Sequence, residues 1–257
     1  MFLVGPDVIL QVENLSKNFG GFRAVSDINF GLTSGEILGL VGPNGAGKTT
    51  LFHLISGFLK PTTGHIVYEG RDITRLPPHR RARLGVVRMF QQTKVFAKLS
   101  VAENIRTGFH LRGRSAAADD NPVERVLDFT ELEAVADQNA GDLAYGDQRT
   151  LGIAIALGAR PKVLLLDEPF AGMNPVEAKR CMSLIHRIRQ AGTSVLLVDH
   201  HMDTLVKHCD RLVVVHHGEK LVEGDPQTVT QSAEVIECYL GGDDFALETA
   251  TQEEGDA

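Results

Sequence analysis

The chain has 257 residues, 43% of them apolar, with a formal net charge of -7. That length buries one sizeable core, or one core plus a small satellite, and would make two full domains a squeeze. Six acids and no Lys or Arg fall in residues 241–257, so the body is close to neutral, which speaks against a nucleic-acid partner.

No stretch reaches the roughly 18 consecutive apolar residues of a membrane helix; the longest run, 151–159, is ended by Arg160. Residues 1–10 lack a basic start and carry Gly5, Pro6 and Asp7, so no secretory signal is expected. Cys181, Cys209 and Cys238 are odd in number and far apart, which predicts reduced, buried thiols rather than disulfides or a zinc site.

In chain order, β-rich apolar segments at 8–12, 22–30, 36–41 and 65–68 alternate with Gly and Asn turns; they read as an antiparallel edge sheet folded onto a parallel core. The basic run from Arg71 to Arg88, with Arg75, Arg80, Arg81 and Arg83 between, reads as a solvated surface segment because no aromatics interleave it. After 85–90 the period becomes helical at 101–110, 123–130 and 147–159, which predicts a helical insert over about 95–160. Strand texture returns at 162–166 and 193–198, separated by a helix with Cys181, Leu184, Ile185 and Ile188 on one face. Segments 211–215 and 220–222 predict a closing hairpin, and the acidic end 241–257 a solvated tail. The alternation gives a doubly wound α/β architecture.

Two places carry chemistry. Residues 42–50 read Gly42, Pro43, Asn44, Gly45, Ala46, Gly47, Lys48, Thr49, Thr50, between an apolar strand and a helical run of Leu51, Leu54 and Ile55. The glycines let successive amides curl toward phosphate oxygens, and the helix start presents its positive end to the same anion. Lys48 suits the β and γ phosphates of a nucleoside triphosphate, and the Thr49 hydroxyl suits a magnesium ion. The strand 163–168 ends in Asp167 and Glu168, at the sheet edge where α/β proteins bind ligands. Two acids there imply two tasks, Asp167 for the magnesium ion through a water and Glu168 for polarising an attacking water. The pairs His200-His201 and His216-His217 have no carboxylate or Cys at ligand spacing and are not read as metal sites.

Together with these residues, Phe90-Gln91, Leu143-Ala-Tyr-Gly-Asp-Gln148, Ala171-Gly-Met-Asn-Pro175 and Val198-Asp-His200 make the chain resemble the ATP-binding subunits of ABC transporters over nearly its whole length. The resemblance implies one ATPase domain over 1–240 with a P-loop NTPase (RecA-like) core, an antiparallel β subdomain and a helical insert. It implies ATP and Mg2+ as ligands and Phe19 stacked on the adenine. It gives Gln91 a place at the metal and attacking water, and makes His200 the switch histidine at the γ-phosphate. Leu143, Ala144, Tyr145, Gly146, Asp147 and Gln148 stand where the family's signature segment completes a partner's site, so the active form implied is a cassette dimer. It is attached to transmembrane permease subunits on the cytoplasmic face of the membrane and served indirectly by a solute-binding protein.

Two departures stand out. Ala144 and Tyr145 replace the serine and a glycine of the commonest signature, and Asn174 replaces an aspartate. Leu-Ala-Tyr-Gly with Ala-Gly-x-Asn-Pro is similar to the subfamily serving branched-chain amino acid importers and related urea or amide systems. An exporter subunit, or a soluble ABC ATPase without a membrane partner, is the alternative.

Overall fold

A computed structural model of the chain describes residues 7–89, 95–110, 122–199 and 202–240. The first strands, β1 (Val8–Phe19) and β2 (Phe22–Thr33), pair antiparallel across a turn at Gly20. The period-2 signal fades after Val12 because the pairing shifts register between Val12 and Leu15, with Asn14 at a φ of 46°. That bulge turns Leu15 onto the buried face and carries the strand seven residues past the sequence expectation.

There follow β3 (Ile37–Val41), α1 (Lys48–Ser56), β4 (Thr63–Tyr68), the short β5 (Arg71–Asp72), α2 (Pro78–Leu84) and β6 (Val86–Met89). Then come three helices, α3 (Val101–Phe109), α4 (Pro122–Thr130) and α5 (Tyr145–Gly158). The chain returns through β7 (Val163–Asp167), α6 (Pro175–Gln190), β8 (Ser194–Val198) and α7 (Met202–His208). It closes with β9 (Arg211–His216), β10 (Glu219–Gly224), α8 (Pro226–Thr230) and α9 (Ala233–Leu240).

Two sheets result. An antiparallel one has the order β2-β1-β4-β5, and a six-stranded one the order β10-β9-β3-β8-β7-β6, parallel except for the β9–β10 hairpin. The parallel sheet is buried on both faces, which is why its strands read as unbroken apolar runs. Leu38, Leu40, Leu165, Leu196 and Val213 pack with β1, β2, β4 and α1. Their neighbours in sequence, Ile37, Val41, Leu164, Leu166, Leu197 and Val214, pack with α6, α7 and α9. The four residues Cys181, Leu184, Ile185 and Ile188 lie in that second layer as their spacing predicts, and all three cysteines are free and buried.

Helices α3, α4 and part of α5 share a third cluster built on Val101, Ile105, Val123, Leu127 and Leu151. Helix α5 belongs to two cores at once, since Leu151 and Ala154 face that cluster while Ile153 and Ala156 face the sheet. A helix buried nearly all round ties the two parts together.

The reading of 71–88 as a solvated segment needs correction. Arg71, Arg75, Arg80 and Arg83 are exposed, but Arg81 is 1% exposed, and the run contains helix α2. Arg81 donates to the carbonyls of Leu54 and Ile55 at 2.9 and 2.6 Å, and to those of Leu76 and Thr74 at 2.9 and 2.8 Å. Leu54 and Ile55 lie in the last turn of α1, where carbonyls lack the regular i+4 donors; Leu54 O takes the Gly57 amide at 3.1 Å and both take Arg81. A guanidinium, with five N–H groups in a planar fork, suits four converging carbonyls. No helix among the described residues is long and apolar enough to cross a membrane. The tail 241–257 lies outside the described residues.

Candidate functional site

The site is set by strand register. Leu40 on β3 stands opposite Val198 on β8, and Val198 opposite Asp167 on β7. The three strands therefore end level, and the loop 42–50 and the acids 167–168 leave the same edge of the sheet.

The phosphate loop has the curl its glycines predict. Gly42, Gly45 and Gly47 have φ of 155°, 79° and 102°. A Cβ at Gly42 would lie 2.0 Å from the Val215 carbonyl oxygen, and one at Gly47 would lie 2.6 Å from that of Ala24, so β9 and β2 hold the loop from outside and no side chain fits at either point. Helix α1 starts at Lys48 with Gly47 as N-cap, no side-chain cap and no acid in its first turn. Its positive end is left to an external anion. Lys48 is buried and its ammonium donates to the carbonyls of Gly42 and, at 2.9 Å, Pro43. Asn44, Gly45 and Thr49 are exposed, Ala46 is buried, and Pro43 and Thr50 are half-buried.

Asp167 is buried and ion-paired, Arg88 Nη2 donating to its Oδ2 at 2.8 Å. Burial pushes the Asp167 carboxyl above its ordinary value and the Arg88 guanidinium below its own, with the ion pair opposing both. Arg88 also reaches Ser56 Oγ at 3.2 Å, and its guanidinium carbon lies 4.7 and 5.5 Å from the Phe52 and Phe58 rings. Glu168 adopts a left-handed φ of 45°, a conformation that side-chain-bearing residues seldom take and that persists where surroundings impose it. Its amide donates to Val198 O at 2.8 Å and its carbonyl accepts from Arg149 Nη2 at 3.2 Å. Both of its peptide groups are thus pinned.

The donor set at this edge fits a hard divalent cation. It offers the Thr49 hydroxyl and the Asp167 carboxylate, oxygen ligands of the kind magnesium takes. Gln91 and His200, given to the metal and the γ-phosphate by resemblance, lie outside the described residues. Their strands end at Met89, opposite Leu166, and at Val198.

Phe19 ends β1, 47% exposed, with Lys17 Nζ 5.1 Å from its ring. The signature segment begins α5 two residues earlier than periodicity indicates: Ala144 is the N-cap, Tyr145 to Gln148 form the first turn, and Leu143 is buried. Gln148 Nε2 donates to Leu143 O at 3.0 Å. With Ala at the N-cap there is no side-chain oxygen to satisfy the first amides. Asn174 has a structural task of its own, its Oδ1 accepting from the Val176 and Glu177 backbone N–H groups at 3.0 Å while its own backbone N–H donates to Glu177 Oε2 at 3.0 Å. That capping box starts α6.

Two functional neighbours escaped the sequence reading. Arg88 is a lone charge in a buried strand beside one that ends in acids, a pattern that could have exposed it. Arg149, 2% exposed behind Glu168, gives no such signal, because a surface arginine in a first helical turn would look the same.

Residues 25–171 match the family model described as ABC transporter. The chain is 36% identical over 252 residues to the probable branched-chain amino acid transport ATP-binding protein LivG of Archaeoglobus fulgidus, covering 93% of this chain and 98% of that one. It is also 36% identical over 239 residues to the lipopolysaccharide export system ATP-binding protein LptB of Acidithiobacillus ferridurans, covering 93% and 99%. Among solved structures, the ADP conformation of an ATP-binding cassette of an ABC transporter superposes with a TM-score of 0.83 at 30% identity, covering 91% of this chain and 99% of that one. A P-loop flanked by β3 and α1, an acid pair at the end of β7, and these likenesses over nine-tenths of the chain agree, and the chain belongs to the ABC transporter family as an ATP-binding subunit.

Proposed function

We propose that this chain is the ATP-hydrolysing subunit of an importer for branched-chain amino acids, or a related amide or urea solute. It works as a cassette dimer, with an identical or homologous chain, beneath membrane permease subunits on the cytoplasmic face. The observation that supports it best is the level ending of β3, β8 and β7, which sets a phosphate cradle beside two carboxylates.

In this reading Phe19 stacks on the adenine, the loop amides and Lys48 hold the triphosphate, and Thr49, Gln91 and Asp167 hold the magnesium ion. Bound there, the ion neutralises charge on the phosphate oxygens. Glu168 accepts a proton from the water whose oxygen bonds to the γ-phosphorus as the bond to the β-phosphate oxygen breaks, giving ADP and phosphate. His200 contacts the γ-phosphate, and residues 143–148 complete the partner's site. ATP thereby binds the closed dimer more tightly than the open one, and hydrolysis removes that difference. The insert at about 95–160, within a domain over 1–240, passes the closure to the permease.

The test is a pair of variants. Glu168→Gln is expected to lower turnover about 10²–10⁴-fold with ATP binding kept, and Lys48→Ala to abolish binding in a calorimetric titration. Unchanged turnover in the first, or wild-type affinity in the second, removes the assigned roles.

A second reading, an exporter subunit, is favoured by the likeness to the lipopolysaccharide export protein. Recovery from membranes with a permease pair and uptake of labelled leucine by reconstituted vesicles separates the two.

A further inference from the structure

Tyr145 is 49% exposed at the start of α5, where the resemblance puts a small residue, and next to Ala144, which has no hydroxyl. Two tasks are open to its phenol. It could replace the missing serine as a donor to a partner's γ-phosphate, or it could act within its own chain.

The geometry points to the second. Tyr145 Oη donates to the Ala171 carbonyl at 2.9 Å. A phenol has one O–H, so a proton given to Ala171 is not available to a phosphate. The ring lies close against the loop after Glu168: Gly172 has a φ of 78°, and a Cβ there would come within 3.0 Å of Tyr145 Cε1. Arg149, one turn on, donates to the same Ala171 oxygen at 3.3 Å and to Glu168 O at 3.2 Å, with its guanidinium carbon 5.5 Å from the Tyr145 ring centroid. On the other side, a Cβ at Gly146 would lie 2.8 Å from the Glu177 carboxyl carbon. The first turn of α5 and the segment from Glu168 to Glu177 are therefore closely packed together.

We propose that Tyr145 is a positioning residue, a latch that joins the signature segment to the loop following Glu168 in the same chain. It rests on the reading above, in which residues 143–148 meet a partner's nucleotide while Glu168 serves the chain's own. Movement of the signature turn on a partner's phosphate then pulls on the Ala171 carbonyl and, through Arg149, on the backbone that sets Glu168. The latch links the two sites of a dimer.

The test is Tyr145→Phe in the full chain, a change that deletes the hydroxyl and keeps the ring. In the nucleotide-free chain, hydrogen exchange at the amides of residues 170–174 is expected to rise about five-fold, the factor that one net hydrogen bond represents. In hydrolysis assays kcat is expected to fall about 3- to 10-fold with KM for ATP unchanged, since a net bond of this size sets the scale. ATP-driven dimerisation, measured in a Glu168→Gln background, should keep its affinity. A weaker dimer or raised KM with exchange at 170–174 unaltered makes the hydroxyl a phosphate donor and overturns the latch. Unchanged exchange or unchanged kcat overturns it as well. The exchange measurement needs no ATP, so absence of hydrolysis in the unmodified chain would count against the ATPase reading alone.

Discussion

Arg88 and Asp167 face each other across neighbouring strands at 2.8 Å, with side chains 8% and 5% exposed. A pair this dry costs heavily to desolvate, and its strength shows mainly when one member is removed. Arg88→Met is therefore expected to destabilise the chain by about 3–5 kcal/mol, because it leaves a buried carboxylate uncompensated. Asp167→Asn strands the guanidinium in the same way. The double variant should lose less than the sum of the singles, by about 1–3 kcal/mol in a double-mutant cycle from denaturant unfolding. Strict additivity would mean that the pair carries no coupling, and that the Phe52 and Phe58 rings hold Arg88 instead.

Phe19 offers a cleaner separation of binding from folding. Its ring is about half exposed, so little apolar burial is lost when it is truncated. If it stacks on a base, Phe19→Ala is expected to weaken ATP binding by about 1–3 kcal/mol, roughly 5- to 150-fold in Kd. The melting temperature should stay within about 2 °C, as for other exposed substitutions. Calorimetry with ATP and with inorganic triphosphate decides it: equal weakening of both ligands would show that the ring acts on the loop and not on a base.

How much of this was legible follows from which signals are local. The loop 42–50 and the β7 acids could be read directly, because a phosphate cradle needs particular residues at fixed spacing and the parallel strands are buried on both faces. Cys181, Leu184, Ile185 and Ile188 could be placed from periodicity alone. Long-range pairing left no such trace. The bulge at Asn14 hid the second half of β1, and the contacts of Arg88 with Asp167 and of Tyr145 with Ala171 join segments 79 and 26 residues apart. Asn174, which looked like a lost charge, turned out to cap α6.

Arg81 shows the same limit and carries its own prediction. Its neighbours in the basic run are exposed, yet it fills a cavity lined by carbonyls, and burial lowers its pKa to about 10, which keeps it charged at neutral pH. Arg81→Met preserves much of the stem but takes the charged donor from four carbonyl oxygens, of which Leu54 O keeps the Gly57 amide at 3.1 Å while those of Ile55, Leu76 and Thr74 lose the guanidinium. Hydrogen bonds from a charged donor contribute about 1.5–3 kcal/mol each at most, and they are not additive. A loss of about 3–5 kcal/mol in unfolding free energy is expected, with Arg81→Lys intermediate because an ammonium cannot span the same fork. Arg80→Met, on the exposed side of the same helix, should change stability by less than about 0.5 kcal/mol. Equal effects at 80 and 81 would contradict the assigned contacts.

Acid sensitivity should follow the histidines. His53 is held below its ordinary 6.5 by burial and then by Arg88, and His208 by burial, His186 and Lys207. A depressed folded pKa means that above about pH 7 both folded and unfolded forms are neutral and the full stability is present. As pH falls from about 7 to about 5 the unfolded chain takes up these protons first, so stability declines. Asp72, held at about 2 chiefly by its hydrogen bonds with Thr74, titrates below that window and does not contribute to the decline. His208→Asn removes one titrating group and its 3.1 Å contact with His186. Its melting temperature should therefore be lower than that of the parent at pH 8 and fall less steeply between pH 7 and pH 5, and His53→Asn should likewise flatten the curve. Parallel curves for parent and variants would assign the acid lability to other groups.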